Sequence, residues 1–94
     1  MEVEYSVQLH KKVVADDLPA ITKNWKKKIK NAIDKNLVTD PVTISYPLKQ
    51  NLKGCRKLRV SDYRVIFVIK DKTIYIVAIL HRSKVYKLVE KRLS

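Results

Sequence analysis

What this sequence lacks sets the first limits on its function. Its 94 residues contain a single cysteine, Cys55, so no disulfide can form within the chain. One cysteine and two widely separated histidines make no metal-ligand pattern, and neither a metal nor a cofactor is expected. No apolar run approaches the ~20 residues of a membrane span, and the first residues lack the basic and apolar segments of a signal peptide. We therefore expect a cytoplasmic protein that does not associate with membranes.

Acidic side chains are also scarce, mainly in one half of the chain. Nine Asp and Glu residues stand against 21 Lys and Arg, which gives a net charge of +12. Residues 1–47 hold eight cations and six acids, or +2, whereas residues 48–94 hold thirteen cations and three acids, or +10. Five cations of the second half are arginines, whose planar guanidinium groups suit phosphate. The second half therefore predicts a polyanionic partner, RNA or DNA, with a merely solvated basic surface as the alternative.

Length and composition indicate one globular domain over residues 1–94. Apolar residues make up 46% and charged residues 32%, a mixture typical of a folded domain and not of a disordered chain. This length suffices for one core with a single sheet and two or three helices. No repeat, low-complexity tract or interior linker divides the chain.

The first half predicts a strand and two helices. Alternating apolar residues over residues 2–9 are typical of a strand with one buried face. A short helix is expected over residues 10–17, and Pro19 suits the first turn of a second helix. Every fourth residue of that helix forms a predicted buried stripe: Ile21, Trp25, Ile29, Ile33 and Leu37. Its lysines are interpreted as a solvated face, or alternatively as a peripheral contact with a large RNA: Lys23, Lys26, Lys27, Lys28 and Lys30.

The second half predicts a loop, three antiparallel strands and a final helix. Residues 42–54 contain Pro47 and Gly54 and are interpreted as a loop that could include a short extended piece. Two-residue loops at residues 61–62 and 71–72 would join the next strands into two hairpins. Residues 83–93 are amphipathic and are expected to form a helix with Ser83 as N-cap. The predicted fold is therefore α+β, with the N-terminal strand and the meander forming a four-stranded antiparallel-rich sheet.

The first hairpin places cations where a sheet does not favour them. In its predicted register Arg59 lies opposite Arg64, and side-chain alternation puts Lys57 on the same face. Like charges directly opposite each other destabilise a strand pair. We therefore expect an anion to bind on this face.

The second hairpin continues that face. Its predicted register pairs Ile66 with Val77 and Arg64 with Ile79, which places His81 on the same face as Arg64. Both faces of the middle strands are apolar, so the sheet is expected to be covered on both sides. The first two helices would cover one side and the final helix part of the other.

Two sequence elements resemble one known family. Residues 58–67, LRVSDYRVIF, are similar to the Leu-Arg-x-x-x-Tyr-Arg-hydrophobic pattern of the RelE/ParE toxins of bacterial toxin–antitoxin pairs. Residues 81–86, HRSKVY, are similar to the His-Arg-x-x-x-Tyr ending of the same family. The order of predicted elements also matches, so the resemblance covers essentially the whole chain. It implies the RelE-like fold and a cognate antitoxin as partner.

The resemblance implies one of two activities. RelE-like members are ribosome-dependent endoribonucleases that cut mRNA in the decoding site, whereas ParE-like members inhibit DNA gyrase and do not cleave RNA. Tyr86 stands four residues after Arg82, where RelE-like enzymes place a catalytic tyrosine, and Lys57, Arg59 and Arg64 correspond to their basic cluster. The nuclease is therefore favoured, with the ribosome and mRNA as partners. The alternatives are a gyrase inhibitor and a non-catalytic RNA-binding protein.

The resemblance and the chemistry of RNA cleavage together suggest the site residues. The 2′-hydroxyl attacks the adjacent phosphorus, so the protein must accept a proton, stabilise the phosphorane and assist the leaving oxygen. Tyr86 or Lys57 is assigned as general base. Arg64 is assigned to the transition-state phosphate, and Arg82 as phosphate ligand or acid. RNA-binding side chains are expected at five further positions: Arg56, Arg59, His81, Lys49 and Lys53.

This sequence departs from the RelE pattern at two positions. Cys55 stands where RelE has the first lysine of a Lys-x-Lys pair, and only Lys57 is left. Leu80 replaces the glycine that is common before His-Arg, which implies a different groove floor. Cys55 is interpreted as a small strand residue and not as a nucleophile. For Tyr86 the alternative is a ring that packs beneath the final helix.

Overall fold

The computed structural model describes residues 4–48 and 54–93, in which one sheet carries helices on both faces. The strands are β1 Ser6–Leu9, β2 Tyr46–Pro47, β3 Cys55–Val60, β4 Tyr63–Lys70 and β5 Thr73–His81. The α-helices are α1 Lys23–Ala32 and α2 Val85–Leu93. Single π-helical turns lie at Val13–Asp17 and Ile33–Leu37, and 3₁₀ turns at Leu18–Ala20 and Arg82–Lys84. No helix in the described residues is long and apolar enough to cross a membrane.

Within residues 4–48 and 54–93 the sheet has five strands, in the order β1-β5-β4-β3-β2, where four were predicted. The antiparallel meander of β3, β4 and β5 is confirmed, and β1 runs parallel to β5 at one edge. The additional strand is β2, at the other edge, within the segment interpreted as a loop with a short extended piece. Two residues carry no alternation that could mark a strand in the sequence.

β1 is far more exposed than the alternation predicts. All four of its residues are exposed, with Val7 at 37% and Leu9 at 44%, and residues 1–3 lie outside the described part of the chain. β1 is an edge strand, and its apolar side chains line an open groove of about 440 Å³ together with residues of α1. Alternation therefore identified the strand but not the depth of its burial.

The helix predicted over residues 10–17 is observed over residues 11–17, where two α-helical residues lead into the π-helical turn Val13–Asp17. Pro19 lies in the 3₁₀ turn that follows, and not in the first turn of the next helix as predicted. The next helix, α1, begins after Thr22, whose extended backbone and side-chain hydroxyl cap it by accepting a hydrogen bond from Trp25 N–H. The cap ends the preceding turn and sets the start of α1.

The apolar stripe of α1 is confirmed, and its spacing explains how the helix ends. Ile29 is buried, as are Ile33 and Leu37. A repeat of four is longer than the 3.6 residues of an α-helical turn, so a regular α-helix would rotate this stripe away from the core. The wider π-helical turn Ile33–Leu37 keeps both of these apolar residues on the core side. In this turn the Val38 N–H donates a hydrogen bond to the Ile33 carbonyl at 3.2 Å.

The second hairpin has its predicted register next to the loop, where Val68 lies opposite Tyr75, and departs from it by one residue farther along the strands. Ile66 lies opposite Ala78 and Phe67 opposite Ile76, which leaves Val77 as an additional residue in β5. One extra residue in a strand is a β-bulge, and it reverses which face each later side chain occupies.

The bulge changes the neighbours of the predicted site. Arg64 lies opposite Leu80, not opposite Ile79, so Leu80 shares its face. His81 lies opposite Tyr63, and their rings meet edge to face with centroids 6.1 Å apart. His81 therefore lies on the face of the sheet that α1 covers, and its predicted place on the face of Arg64 is wrong.

A buried ion pair holds the bulge. The Asp17 carboxylate, with a side chain 3% exposed, accepts hydrogen bonds from the Arg92 guanidinium at 2.8 and 3.0 Å. It also accepts one from the Ile79 backbone N–H at 2.9 Å, and Arg92 donates to the Val77 carbonyl at 2.8 Å. These bonds satisfy polar backbone groups at the bulge and two residues after it, and they attach the end of α2 to β5.

The two faces of the sheet carry separate cores, as the apolar middle strands predicted. The core under α1 contains eleven buried residues: Val13, Ile21, Ile29, Ile33, Leu37, Leu58, Val65, Phe67, Ile74, Ile76 and Ile79. The core under α2 contains seven: Leu48, Cys55, Ile66, Ala78, Leu80, Val85 and Val89. The smaller core leaves the far end of the α2 face to polar side chains.

Candidate active site

Four residues nominated from the sequence meet at one cavity on the α2 face. Lys57, Arg64, Arg82 and Tyr86 line it together with Val85, and its volume is about 150 Å³. The side chains come from β3, β4, the 3₁₀ turn Arg82–Lys84 and α2. These are the four residues to which catalytic roles were assigned. Val85 was not foreseen, although its spacing from Val89 marks the inner side of α2.

Arg64 lies at the centre of the positive charge. Its guanidinium donates to the Ser61 carbonyl at 2.7 Å and to the Tyr63 carbonyl at 2.9 Å, which fixes one end of the group against its own hairpin loop. Burial lowers the pKa of Arg64, and the nearby charges of Arg59 and Arg82 lower it further. The contribution of these two cations shows that the charge around Arg64 is positive, which favours a bound anion.

Arg82 is more exposed and has a loose carboxylate neighbour. Its Nε lies 3.8 Å from Oδ1 of Asp62, and both side chains are about two-thirds exposed. Its backbone N–H donates to the Asp62 carbonyl at 2.8 Å and so connects the 3₁₀ turn to the loop of the first hairpin. An exposed pair at this distance is weak, so the Arg82 guanidinium is available to exchange Asp62 for a phosphate.

Lys57 and Arg59 stand on β3 beside the cavity. Arg59 lies directly opposite Arg64, as the first hairpin predicted. Lys57 is half-buried and lines the cavity, whereas Arg59 is exposed and lies outside the cavity lining. Together with Arg64 they give three cations on adjacent strands of one sheet face.

Tyr86 packs as the alternative interpretation predicted, and its role as general base stays a prediction. Its ring packs against the core under α2, and the same residue lines the cavity in the first turn of α2. Packing holds the ring in one orientation, which is what positions a phenol for proton transfer.

The other nominated residues lie elsewhere or are already engaged. His81 is outside the cavity lining, and its Nδ1 accepts a hydrogen bond from Ser83 N–H at 3.2 Å. His81, and not Ser83, therefore caps the 3₁₀ turn that leads into α2. Its contact with RNA stays a prediction. Lys49 and Lys53 lie outside the described residues.

Arg56 points away from the cavity and binds the chain before β2. Its Nε donates to the Ser45 hydroxyl at 2.7 Å, and Nη2 donates to the carbonyls of Val42 and Ser45 at 3.1 Å each. The side chain shares the α1 face with Leu58 because alternate residues of β3 point to opposite sides. Sequence alone shows the charge of Arg56 but not the carbonyl groups that it binds.

The two departures from the RelE pattern have clear places in the fold. Cys55 is 2% exposed in the core under α2, and burial raises the pKa of its thiol. It is therefore a packing residue and not a nucleophile, as predicted. Leu80 is buried in the same core and lies opposite Arg64 in the sheet, outside the cavity lining.

Comparison with known proteins identifies the family. A family model described as the ParE toxin of the type II toxin–antitoxin system parDE matches residues 7–86. The chain belongs to the RelE/ParE superfamily. It is therefore a toxin of a type II toxin–antitoxin system, as its two sequence elements indicated. A search of curated proteins gave no match.

Solved structures of this superfamily share the fold. A chain of the toxin–antitoxin complex RelBE2 from Mycobacterium tuberculosis is 24% identical, with a TM-score of 0.77 over 85% of this chain and 100% of that one. The RelB–RelE complex from Methanococcus jannaschii gives 21% identity and a TM-score of 0.63, covering 83% and 93%. YafQ from Escherichia coli gives 19% and 0.61, covering 88% and 99%.

Proposed function

We propose that this toxin is a ribosome-dependent endoribonuclease that cuts mRNA without a metal ion. The observation that carries the proposal is the cavity in which Lys57, Arg64, Arg82 and Tyr86 meet. Its volume of about 150 Å³ suits one phosphate group with part of its sugar, and its walls supply three cations and a phenol. Burial lowers the pKa of Arg64, and the charges of Arg59 and Arg82, which lower it further, support an anion at this place.

The proposed reaction is an internal transfer at phosphorus. The ribose 2′-oxygen forms a bond to the adjacent phosphorus, and the bond from phosphorus to the 5′-oxygen of the next nucleotide breaks. The 2′-hydroxyl proton goes to Tyr86 or Lys57, and the leaving 5′-oxygen receives a proton from an acid. The products are a 2′,3′-cyclic phosphate and a 5′-hydroxyl, so no external nucleophile is consumed.

The arginines stabilise the negative charge that develops on the phosphorane during the reaction. The phosphorane carries more negative charge than the phosphodiester, and a donor already fixed in place stabilises it without reorganisation. Arg64 fits this role because two carbonyl groups hold its guanidinium. Arg82 fits the role of phosphate ligand or acid because it is exposed and only loosely paired with Asp62.

The substrate is proposed to be mRNA in the decoding site, with the ribosome as the second partner. The half of the chain with net charge +10 supplies the long-range attraction to RNA. The resemblance to RelE-like toxins favours the ribosome over free RNA, because those members cut only there.

The test is the chemistry of the RNA ends after incubation with translating ribosomes. The toxin should leave 2′,3′-cyclic phosphate and 5′-hydroxyl ends. Tyr86→Phe deletes only the hydroxyl and should lower single-turnover cleavage by ~10²-fold or more, within the range for losing a general base. Tyr75→Phe is the matched control, because Tyr75 is an exposed tyrosine of β5 outside the cavity lining.

Each result has a definite meaning. Cleavage at the parental rate by Tyr86→Phe transfers the base role to Lys57, and Lys57→Gln should then lose activity. Intact mRNA with the parental toxin ends the nuclease proposal.

A gyrase inhibitor is the second candidate function, because the matching family model is that of the ParE toxin. It predicts intact mRNA and gyrase-dependent DNA breaks when toxin, gyrase and plasmid are combined. A non-catalytic RNA-binding protein would give neither product while still binding ribosomes.

The proposed protein partner is a cognate antitoxin. The structures from Mycobacterium tuberculosis and Methanococcus jannaschii are toxin–antitoxin complexes, which supports such a partner. An acidic wrapping segment would match the cations around the cavity, and apolar residues would match exposed groups such as Val7 and Leu9. Co-expression should yield a complex whose RNA cleavage is blocked. Unblocked cleavage by the complex would contradict this part of the proposal.

A further inference from the structure

Tyr46 is an exposed aromatic residue beside the candidate active site. It is 55% exposed on the edge strand β2 and lies directly opposite Lys57 of β3. Residues that lie opposite each other in an antiparallel pair have their side chains on the same face of the sheet. Tyr46 therefore shares the face of the cavity, two strand spacings or ~10 Å from β4, which carries Arg64.

Arg59 forms a cation–π pair with the Tyr46 ring. The guanidinium carbon lies 5.0 Å from the ring centroid, and Arg59 itself is exposed. An exposed cation–π pair contributes only ~0.5–1 kcal/mol, so stability is a weak reason for placing a large ring in solvent here. The pair does present an aromatic ring and a guanidinium together on the cavity side of the sheet.

The chain before Tyr46 is firmly held. Arg56 donates to the Ser45 hydroxyl and to the carbonyls of Val42 and Ser45. The Ser45 hydroxyl also donates to the Pro41 carbonyl, and Ser45 is buried. The guanidinium of Arg56 therefore fixes the residue that directly precedes Tyr46. A two-residue edge strand would otherwise hold the ring loosely.

Fixed aromatic and guanidinium planes next to a cationic track are how proteins bind single-stranded RNA. Bases stack on Tyr rings and Arg planes, while cations follow the phosphates. Here the track runs across one sheet face from Arg64 in β4, past Lys57 and Arg59 in β3, to Tyr46 in β2. A strand whose phosphate enters the cavity can place a neighbouring base at this edge.

We propose that Tyr46 and Arg59 form a stacking site for one nucleobase of single-stranded RNA, next to the nucleotide that is cut. The proposal deepens the proposed function and rests on it for the position of the cut. Stacking itself requires no cleavage. Arg56 is a positioning residue for this site and acts through the chain that leads to Tyr46.

The experiment measures binding of a short oligoribonucleotide with 2′-O-methyl groups, which cannot be cut by 2′-hydroxyl attack. Tyr46→Leu should weaken binding by ~5- to 150-fold, the equivalent of ~1–3 kcal/mol per stacked base. Tyr46→Phe keeps the ring and should stay within ~3-fold of the parent. Tyr75→Leu, an exposed tyrosine replaced outside the track, should have no effect.

Two further measurements separate stacking from charge. Tyr46→Leu should leave the dependence of log affinity on log salt unchanged, whereas Arg59→Gln should reduce that slope by ~1. An abasic oligomer of the same length and charge should bind the parent and Tyr46→Leu equally. Arg56→Gln should reproduce part of the Tyr46→Leu loss with little change in salt slope, and thermal unfolding checks that each variant is folded.

The outcomes distinguish this inference from the nuclease proposal. Equal affinity of the parent and Tyr46→Leu, a loss shared by the abasic oligomer, or no parental binding contradicts the stacking site, whatever the ribosome assay shows. If Tyr46→Leu instead loses only antitoxin binding, the ring is a protein contact and the inference is wrong. Base-dependent binding by a toxin that never cuts mRNA would support the stacking site and end the nuclease proposal.

Discussion

The two faces of the sheet differ in what their side chains do. The face under α1 is a continuous apolar core that includes Val65, Phe67 and Ile76, all fully buried. The face under α2 has a smaller core at one end and, at the other, a cavity lined by Lys57, Arg64 and Arg82. The same three strands supply both faces, because successive side chains of a strand point to opposite sides.

Stability and function can therefore be separated within one short strand. Of two neighbouring residues in β4, Arg64 lines the cavity and Val65 belongs to the core under α1. A substitution at either position tests one face with little effect on the other, unless the two faces are coupled. The ion pair of Asp17 and Arg92 is the coupling that the structure shows.

The largest effect on stability is expected on the α1 face. Phe67→Ala removes a fully buried ring and should lower the free energy of unfolding by ~3–5 kcal/mol. Urea unfolding followed by circular dichroism measures it, with the exposed substitution Lys72→Ala as the control. A loss below ~1 kcal/mol would mean that the core under α1 does not dominate stability.

Breaking the ion pair of Asp17 and Arg92 should lower the free energy of unfolding by nearly as much as Phe67→Ala. Asp17→Asn leaves the Arg92 charge buried without a counter-charge, and breaking a buried pair costs ~3–5 kcal/mol. Joint replacement by Leu at position 17 and Met at position 92 should recover part of that loss in the same urea measurement. If the double variant is less stable than Asp17→Asn, the pair itself, and not the isolated charge, supports the bulge.

Arg64→Ala should lower the cleavage rate strongly and the free energy of unfolding only slightly, whereas Phe67→Ala mainly lowers the free energy of unfolding. Cleavage should fall by ~10²–10³-fold, as for the loss of a preorganised stabilising donor. The free energy of unfolding should change by less than ~0.5 kcal/mol, because Arg64 faces like charge across the hairpin. Single-turnover cleavage and urea unfolding are measured on the same preparation. A large loss of stability without loss of rate would reverse the assignment of the two faces.

The smallest effect is expected on the lysines outside both faces. Lys26, Lys27 and Lys28 are exposed on α1, and the Lys28 ammonium lies 4.6 Å from the Trp25 ring centroid. Changing all three to Gln should flatten the salt dependence of ribosome binding only modestly and leave cleavage intact. Complete loss of cleavage by a folded variant would place the site on the α1 side of the molecule.

Sequence reasoning succeeded where a pattern was local. The first hairpin has its predicted register because Ser61 and Asp62 form a two-residue loop, and that loop alone sets Arg59 opposite Arg64. The stripe of α1 was visible because a helix repeats its faces within a few residues. The family was recognisable because its two motifs are short and continuous.

Predictions from the sequence were wrong where contacts with residues distant in the chain set the position of a side chain. The bulge at Val77 reversed the face of His81, and the groups that hold it, Asp17 and Arg92, are 75 residues apart in the chain. The position of Arg56 likewise depended on carbonyl groups eleven and fourteen residues earlier. Neither partner carries a sequence signal that indicates the contact.

Four features were predictable from neighbouring residues alone: the superfamily, the antiparallel meander, the two-sided core and the identity of four residues around the cavity. The meander and the two-sided core follow from alternation and helical periodicity. The superfamily and the four cavity residues follow from the resemblance of two short motifs to a known family. Three other features depend on the tertiary structure. β1 is an exposed edge strand, His81 lies on the α1 face, and Tyr46 lies opposite Lys57. Such features depend on which strand ends the sheet and where its register slips, and long-range packing sets both.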